Sequence, residues 1–228
     1  MAKIAVVLGG GSGTRAGGTV PKQFQLLNGK SMLSLSIEAM CKGGAECCFV
    51  VLHPEFLRDW ETELQAFPVP AFAVCGGKTR WHSVKNALLA IEERYDTKGH
   101  LIAIHDGARP LVPCQVVETG WEVAEQYGAV VPVVPVTDSL RQILPDGSSM
   151  SVDRSVFRAV QTPQVFKSEI IIDAYRKPFK STFTDDASVV EENGGKITLF
   201  PGDAVNIKVT HPADFDLARI ILSHLSNK

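Results

Sequence analysis

Ile4-Ala5-Val6-Val7-Leu8-Gly9-Gly10-Gly11-Ser12-Gly13-Thr14-Arg15 turns abruptly from an apolar run into a loop almost bare of side chains, and Pro21-Lys22-Gln23 follows close behind. An apolar run that stops at a glycine cluster reads as a buried strand feeding a tight loop. With no Cβ in the way, backbone N–H groups of such a loop can approach a phosphate closely. Arg15 adds a planar fork for phosphate oxygens, and Lys22 adds a compact point charge. The stretch predicts a triphosphate cradle at the carboxyl end of the first strand of an α/β protein.

Other readings of the loop are weaker on the residues. Gly11-x-Gly13-x-x-Ala16 fits the dinucleotide fingerprint formally, but that fingerprint opens straight into a helix and needs an acid at the tip of the second strand. Here Gly17-Gly18 and Pro21 keep the segment a loop, and the second candidate strand runs out at Leu52-His53-Pro54. Gly29-Lys30-Ser31 and Gly77-Lys78-Thr79 carry the tail of a P-loop, yet Phe24 and Phe72 stand where its first glycine belongs. A plain glycine turn with solvated charges is the bland alternative.

Working outward, apolar runs and helical spacings alternate. Ser31 to Cys41 carries Leu33, Ile37 and Met40 on one helical face; Cys47 to Leu52 is a strand; Pro54 opens a helix with Phe56, Trp60 and Leu64 aligned. Phe72 to Cys75 is a short strand, and the helix after Gly76-Gly77 places Trp81, Val84, Leu88 and Ile91 in the core. Leu101 to His105 is a strand ending in Asp106-Gly107-Ala108-Arg109-Pro110, Val116 to Tyr127 a helix, and Ala129 to Val136 a strand. This alternation predicts a mostly parallel sheet with helices on both faces, whose ligands sit at the strands' carboxyl ends. The glycine loop, Gly76-Gly77 and Asp106 to Arg109 all fall at that edge.

Between about 137 and 160 the pattern changes: Ser139 to Leu144 and Met150 to Val152 flank the turn Pro145-Asp146-Gly147. A lone hairpin is marginal in water, so this arm is expected to pack against a second subunit. Beyond it, Lys167 to Tyr175 and Asp185 to Asn193 read as helices, with Thr184 near the second one's N-cap and Asp185-Asp186 favouring its N-terminus. Lys196 to Phe200 and Val205 to Val209 read as short strands, the latter holding Lys208, and Pro212 to Leu225 as an amphipathic helix. The 228 residues are expected to form one domain with the arm as a subregion.

Composition narrows the function classes. A net charge of −2 gives no basic field for nucleic acid or anionic membrane, so anionic substrates must be met by local clusters. No stretch is long enough to span a bilayer, and with Met1-Ala2-Lys3 running straight into a strand no signal peptide is expected. Cys41, Cys47, Cys48, Cys75 and Cys114 fit neither a disulfide frame nor a zinc site, and the expectation is a reducing cytoplasm. The histidines lack metal-ligand spacing; His105 alone lies inside a motif.

The ordered set of motifs resembles the 2-C-methyl-D-erythritol 4-phosphate cytidylyltransferase family. The matching pieces begin with Gly9 to Arg15, Pro21-Lys22-Gln23, Gly76-Gly77-x-x-Arg80-x-x-Ser83-Val84 and His105 to Pro110. Pro135-Val136-x-Asp138-Ser139, Asp153-Arg154, Gln161-Thr162-Pro163-Gln164-x-Phe166, Thr184 to Ser188 and Asn206 to Thr210 continue it across nearly the whole chain. The resemblance implies a Rossmann-like nucleotidyltransferase core, a β-arm that mediates a homodimer, and CMP transfer from CTP to methylerythritol 4-phosphate with Mg²⁺ or another divalent cation. It implies that Arg15, Lys22, Arg154 and Lys208 carry the catalysis. The nucleotide would lie on Gly9, Gly10, Gly11, Gly13, Gly77, Arg80, Ser83, Asp106 and Gly107. The acceptor would be held by Asp106, Arg109, Ser139, Arg154, Thr162, Thr184 and Lys208, with Ser139 and Arg154 supplied by the neighbouring subunit. Asp106 is the candidate metal ligand, the ion otherwise resting on CTP phosphates. The chain departs from the family in Gly9-Gly10, where Ala-Ala is frequent, and in Ser139, where Thr is common. A ribitol 5-phosphate cytidylyltransferase and a nucleotide-binding regulator stand as alternatives.

Overall fold

The computed structural model describes residues 1–11 and 21–226. The first half comprises β1 (Lys3–Gly9), a small antiparallel pair β2 (Leu26–Leu27) and β3 (Lys30–Ser31), α1 (Met32–Lys42), β4 (Cys47–Leu52), α2 (Leu57–Leu64), β5 (Ala71–Cys75) and α3 (Arg80–Glu92). There follow β6 (Leu101–Asp106), α4 (Cys114–Tyr127), β7 (Ala129–Pro135), β8 (Leu140–Ile143), β9 (Ser149–Val152), β10 (Arg158–Val160) and β11 (Gln164–Lys167). The chain closes with α5 (Ser168–Arg176), α6 (Asp186–Glu192), β12 (Thr198–Pro201) and α7 (Pro212–Ser226).

The central sheet runs β10-β7-β11-β6-β1-β4-β5, and β12 pairs with β7. Strands β6, β1, β4 and β5 are mutually parallel, as are β12 and β7, whereas β11 lies antiparallel between β6 and β7 and β10 antiparallel to β7. Both faces are covered, which is why β4 and β6 are buried at every position instead of alternating. Ile4 and Val6 of β1 join Trp81, Ile91, Tyr175 and Val189 from α3, α5 and α6 on one face. Ala5 and Val7 join Leu33, Ile37 and Trp121 from α1 and α4 on the other. A smaller cluster of Leu27, Met32, Leu111, Val209 and Phe215 seats α7 beside β2 and the start of α1.

The segment 205–209 is not a strand. The N–H groups of Asn206 and Ile207 turn back to the Asp203 and Val205 carbonyls, 3.1 and 2.8 Å away, while Val209 N–H reaches across to Ala108 O at 2.8 Å. The arm is a separate sheet in which β8 pairs with β9. It and the turn that follows hold apolar side chains in solvent, with Ile143 70% and Val156 75% exposed.

Candidate active site

The carboxyl ends of β1, β4, β5 and β6 open onto one cavity of about 880 Å³, which Lys208, Thr210 and His211 also line. Gly9, Gly10 and Gly11 form its floor, and a Cβ added at Gly11 would meet nothing within 4 Å. Gln23, itself buried, donates through Nε2 to the carbonyls of Gly9 and Gly11 at 3.0 and 2.8 Å, which fixes the start of the loop. Lys22 also lines the cavity and donates to Val209 O at 2.9 Å. Gly13 and Arg15 lie outside the described residues.

On the β5 side, Ser83 Oγ accepts the Gly77 N–H at 3.0 Å, and both residues line the cavity. Arg80 lines it too, but its guanidinium is already engaged. Nη1 and Nη2 donate to the Asp186 carboxylate at 2.8 and 2.6 Å, and Nε stands 3.5 Å from Asp106 Oδ1. Tyr175 donates its hydroxyl to Asp186 at 2.6 Å. Burial pulls the Arg80 pKa down, but Asp186 and Asp106 outweigh it and hold the group charged. The role expected for Asp185-Asp186 therefore divides. Asp185 caps α6 in a reciprocal box with Ser188, whereas Asp186 is wholly buried as the counter-ion of Arg80.

Asp106 sits at the tip of β6, where three cations converge. Lys208 Nζ is 2.8 Å from Oδ2, Arg109 Nε 3.9 Å from Oδ2, and Arg80 Nε approaches Oδ1. Burial alone would raise the Asp106 pKa; Arg80, Lys208 and Arg109 override it and hold the carboxyl well below the usual range. Gly107 does not line the cavity: a Cβ there would fall 2.8 Å from Leu8 O, so glycine is needed for β6 to turn tightly over β1.

Arg109 faces a second cavity of about 590 Å³ that shares Lys208 with the first. Its guanidinium donates to Asn206 O at 2.8 Å and Val160 O at 3.4 Å, and burial pulls its pKa down, partly offset by Asp106. Thr162 is buried, its hydroxyl spent on the Asp106 N–H and on His105. Burial lowers the His105 pKa to about 4, so the ring is neutral. Ser139 and Arg154 lie exposed on the arm and Thr184 exposed ahead of α6; none of the three lines either cavity. Arg154 instead donates to Thr137 O.

Among models of protein families, the one described as 2-C-methyl-D-erythritol 4-phosphate cytidylyltransferase matches residues 3–224. The chain belongs to this family. Among curated relatives, the cytidylyltransferase of that name from Azobacteroides pseudotrichonymphae is 39% identical over 226 residues, covering 96% of this chain and 98% of the relative. The one from Bacteroides thetaiotaomicron is also 39% identical, covering 97% and 100%. Among solved structures, the family's enzyme from Thermus thermophilus is 32% identical with a TM-score of 0.74, covering 96% of this chain and 98% of that one.

The family assignment bears on the metal. Mg²⁺ is usually held by one or two carboxylates plus substrate phosphates and water. Among the described residues no group of three or more His, Cys, Asp or Glu could cage an ion. Asp106 supplies one hard oxygen donor on the cavity wall, which fits an ion carried mainly by a triphosphate.

Local pattern reading missed the residues that hold the site together. Asp186 is Arg80's partner from 106 positions away. Gln164 Oε1 accepts the N–H groups of Asp186 and Ala187 at 3.1 and 3.0 Å. Gln161 and Asn206 bond each other and fix the segment before Lys208. Their signal was their place inside the family's motifs, since nothing in local periodicity marks them.

Proposed function

We propose that this chain joins CTP to 2-C-methyl-D-erythritol 4-phosphate, giving 4-diphosphocytidyl-2-C-methyl-D-erythritol and pyrophosphate in the non-mevalonate route to isoprenoids. The observation that carries the reading is the Asp106–Lys208 pair standing where two cavities meet, one floored by glycines and the other faced by Arg109. In this reading the first cavity takes CTP. Its triphosphate lies over Gly9 to Gly11 and Gly13 with Arg15 and Lys22, and its cytosine lies against Gly77, Arg80 and Ser83. Methylerythritol phosphate approaches from the side of Arg109 and Lys208.

An oxygen of the acceptor phosphate attacks the α-phosphorus of CTP. The new P–O bond forms as the bond to the β-phosphate breaks, and pyrophosphate leaves with the electron pair. The attacking group is already anionic at neutral pH, so no general base is needed. Catalysis then rests on holding two anions in line and stabilising the charge that accumulates between them. Lys22, Lys208 and Arg15 do this from the protein side. Asp106, together with the triphosphate, would hold a divalent cation such as Mg²⁺, whose contribution would be to neutralise phosphate charge. Asp106 also orients Lys208 by the 2.8 Å ion pair.

The arm is the dimerisation element of this proposal. Its exposed Ile143, Met150, Val156 and Phe157 suit burial against a second copy, which would bring Ser139 and Arg154 to the other copy's acceptor, since neither lines a cavity within its own chain. The free cysteines fit a cytoplasmic enzyme. The deciding assay is pyrophosphate release from CTP and Mg²⁺ with methylerythritol 4-phosphate and ribitol 5-phosphate as parallel acceptors. Turnover is expected with the first alone. Turnover with the second alone moves the enzyme to polyol phosphate chemistry of another kind, and silence with both favours a nucleotide-binding regulator.

A further inference from the structure

His105 is fully buried and lines neither cavity, yet both ring nitrogens are engaged at the base of the site. Nε2 lies 3.1 Å from Arg109 O, and Nδ1 lies 3.1 Å from Thr162 Oγ1. The Asp106 N–H donates to the same hydroxyl at 3.0 Å. The fixed partners decide where the protons are. A carbonyl can only accept, so Nε2 carries the hydrogen, and Nδ1 is left to bond the Thr162 hydroxyl. Thr162 Oγ1 thus joins Nδ1 to the Asp106 N–H, from which it accepts.

This row of bonds spans the turn from Asp106 to Arg109, whose own Arg109 N–H closes onto Asp106 O at 3.0 Å. Asp106 presents its carboxylate to the first cavity and Arg109 its guanidinium to the second. One buried ring thus fixes the backbone that carries both charges. An apolar side chain would fill the same space in an otherwise apolar strand, Leu101 to Ile104, but would remove the ring's bonds to the Thr162 hydroxyl and the Arg109 carbonyl, leaving Thr162 only the Asp106 N–H.

We propose that His105, acting through Thr162 and the Arg109 carbonyl, is a positioning residue that sets the spacing between the nucleotide-side Asp106 and the acceptor-side Arg109. The proposal rests on the cytidylyl-transfer reading above. The two halves of the link can be cut separately. In His105→Asn the side-chain oxygen can still accept from Thr162, but nothing reaches Arg109 O. In His105→Gln the amide can still reach Arg109 O, but Thr162 loses its bond to the side chain at 105.

The experiment is steady-state pyrophosphate release by the wild type and both variants, with KM measured separately for CTP and methylerythritol 4-phosphate. His105→Asn is expected to raise the acceptor KM about tenfold while the CTP KM stays within about twofold, the size of one lost hydrogen bond. His105→Gln is expected to lower kcat with a smaller change in acceptor KM. Wild-type kinetics in both variants, or equal movement of both KM values, would overturn the proposal. A silent wild type removes the functional reading and this inference with it, whereas an active wild type leaves the variants to judge the inference alone. Should neither variant fold, long-range proton–nitrogen NMR of the ¹⁵N-histidine-labelled wild type decides. A hydrogen on Nε2 is the expected result, and a ring whose Nε2 carries none overturns it.

Discussion

Lys22 shows what one charge does here and how far local pattern could find it. Glycines with cations close behind in sequence need no tertiary knowledge to be read as a phosphate loop, and Lys22 does line the cavity floored by Gly9 to Gly11. Lys22→Ala is expected to lower turnover at least about a hundredfold with an unchanged circular dichroism spectrum, since a charge aimed at developing phosphate charge in a dry site is worth several kcal/mol. Turnover within a few-fold of wild type would remove Lys22 from the cradle. Lys208 reads from the sequence as a strand lysine that either snorkels at an edge or faces a phosphate, and the structure pairs it with Asp106 on the cavity wall, outside any strand. Apolar neighbours suggested a strand, whereas the Asn206 side chain, donating to Thr162 O at 2.9 Å, holds the segment in a turn. A hydrogen bond spanning 44 positions leaves no trace in local periodicity. The same kind of distance hid Asp186, which looks from sequence like an acid favouring a helix start and serves in the structure as Arg80's buried partner.

At the scale of elements, two helix starts border the site. The start of α6 is anchored by Tyr175 on α5, whose hydroxyl donates to Asp186. Burial and the neighbouring Asp186 push the Tyr175 pKa well above its ordinary value of 10.0. The folded chain therefore keeps this proton at a pH where the unfolded chain releases it, so Tyr175 contributes stability below pH 10.0 that is lost as pH rises beyond it. Tyr175→Phe is expected to cost about 1.5–3 kcal/mol at neutral pH, the loss of a bond to a charged group. Between about pH 9 and 11 the wild-type Tm should fall more steeply than the variant's, because the variant lacks this proton; parallel slopes would refute the coupling. The start of α7 depends on Asp214, whose carboxylate accepts from Thr210 N–H, Thr210 hydroxyl and His211 N–H at 2.7, 2.9 and 2.7 Å. Those backbone bonds lower its pKa below 3.8, so the stability it adds is present above that value and fades as pH falls. Asp214→Ala should cost about 1 kcal/mol, seen as a Tm about 2–4 °C lower at pH 7, with the gap narrowing toward about pH 3. The acids at the α6 start are legible in the sequence as Asp185-Asp186, but which of them caps the helix and which faces a buried cation required the packing, and the Asp214 cap of α7 emerges only in the structure.

At the scale of the whole molecule, the layered sheet was readable because β4 and β6 are nearly unbroken apolar runs, and the carboxyl-end edge followed from topology. The antiparallel β11 between β6 and β7 was not, because four residues returning from an arm carry no direction in their pattern. The arm itself poses the largest test. Within one chain, Arg154 is exposed, donates to Thr137 O and does not line the cavity that holds Lys22. If the arm of each copy completes the other's site, a dimer made of one Lys22→Ala chain and one Arg154→Ala chain contains one doubly damaged site and one repaired site. Co-expression of the two variants with different tags, followed by tandem purification, isolates that mixed dimer. Each homodimeric variant should be nearly silent, and the mixed dimer should recover up to about half the wild-type turnover per dimer, since one of two sites is whole. If Arg154 served its own chain instead, every site in the mixed dimer would carry one lesion, and activity would stay at the level of the single variants. The two arrangements differ by a measurable signal with the same mutations and the same protein, so the outcome assigns the arm's arginine to one subunit or the other without reference to any bound ligand.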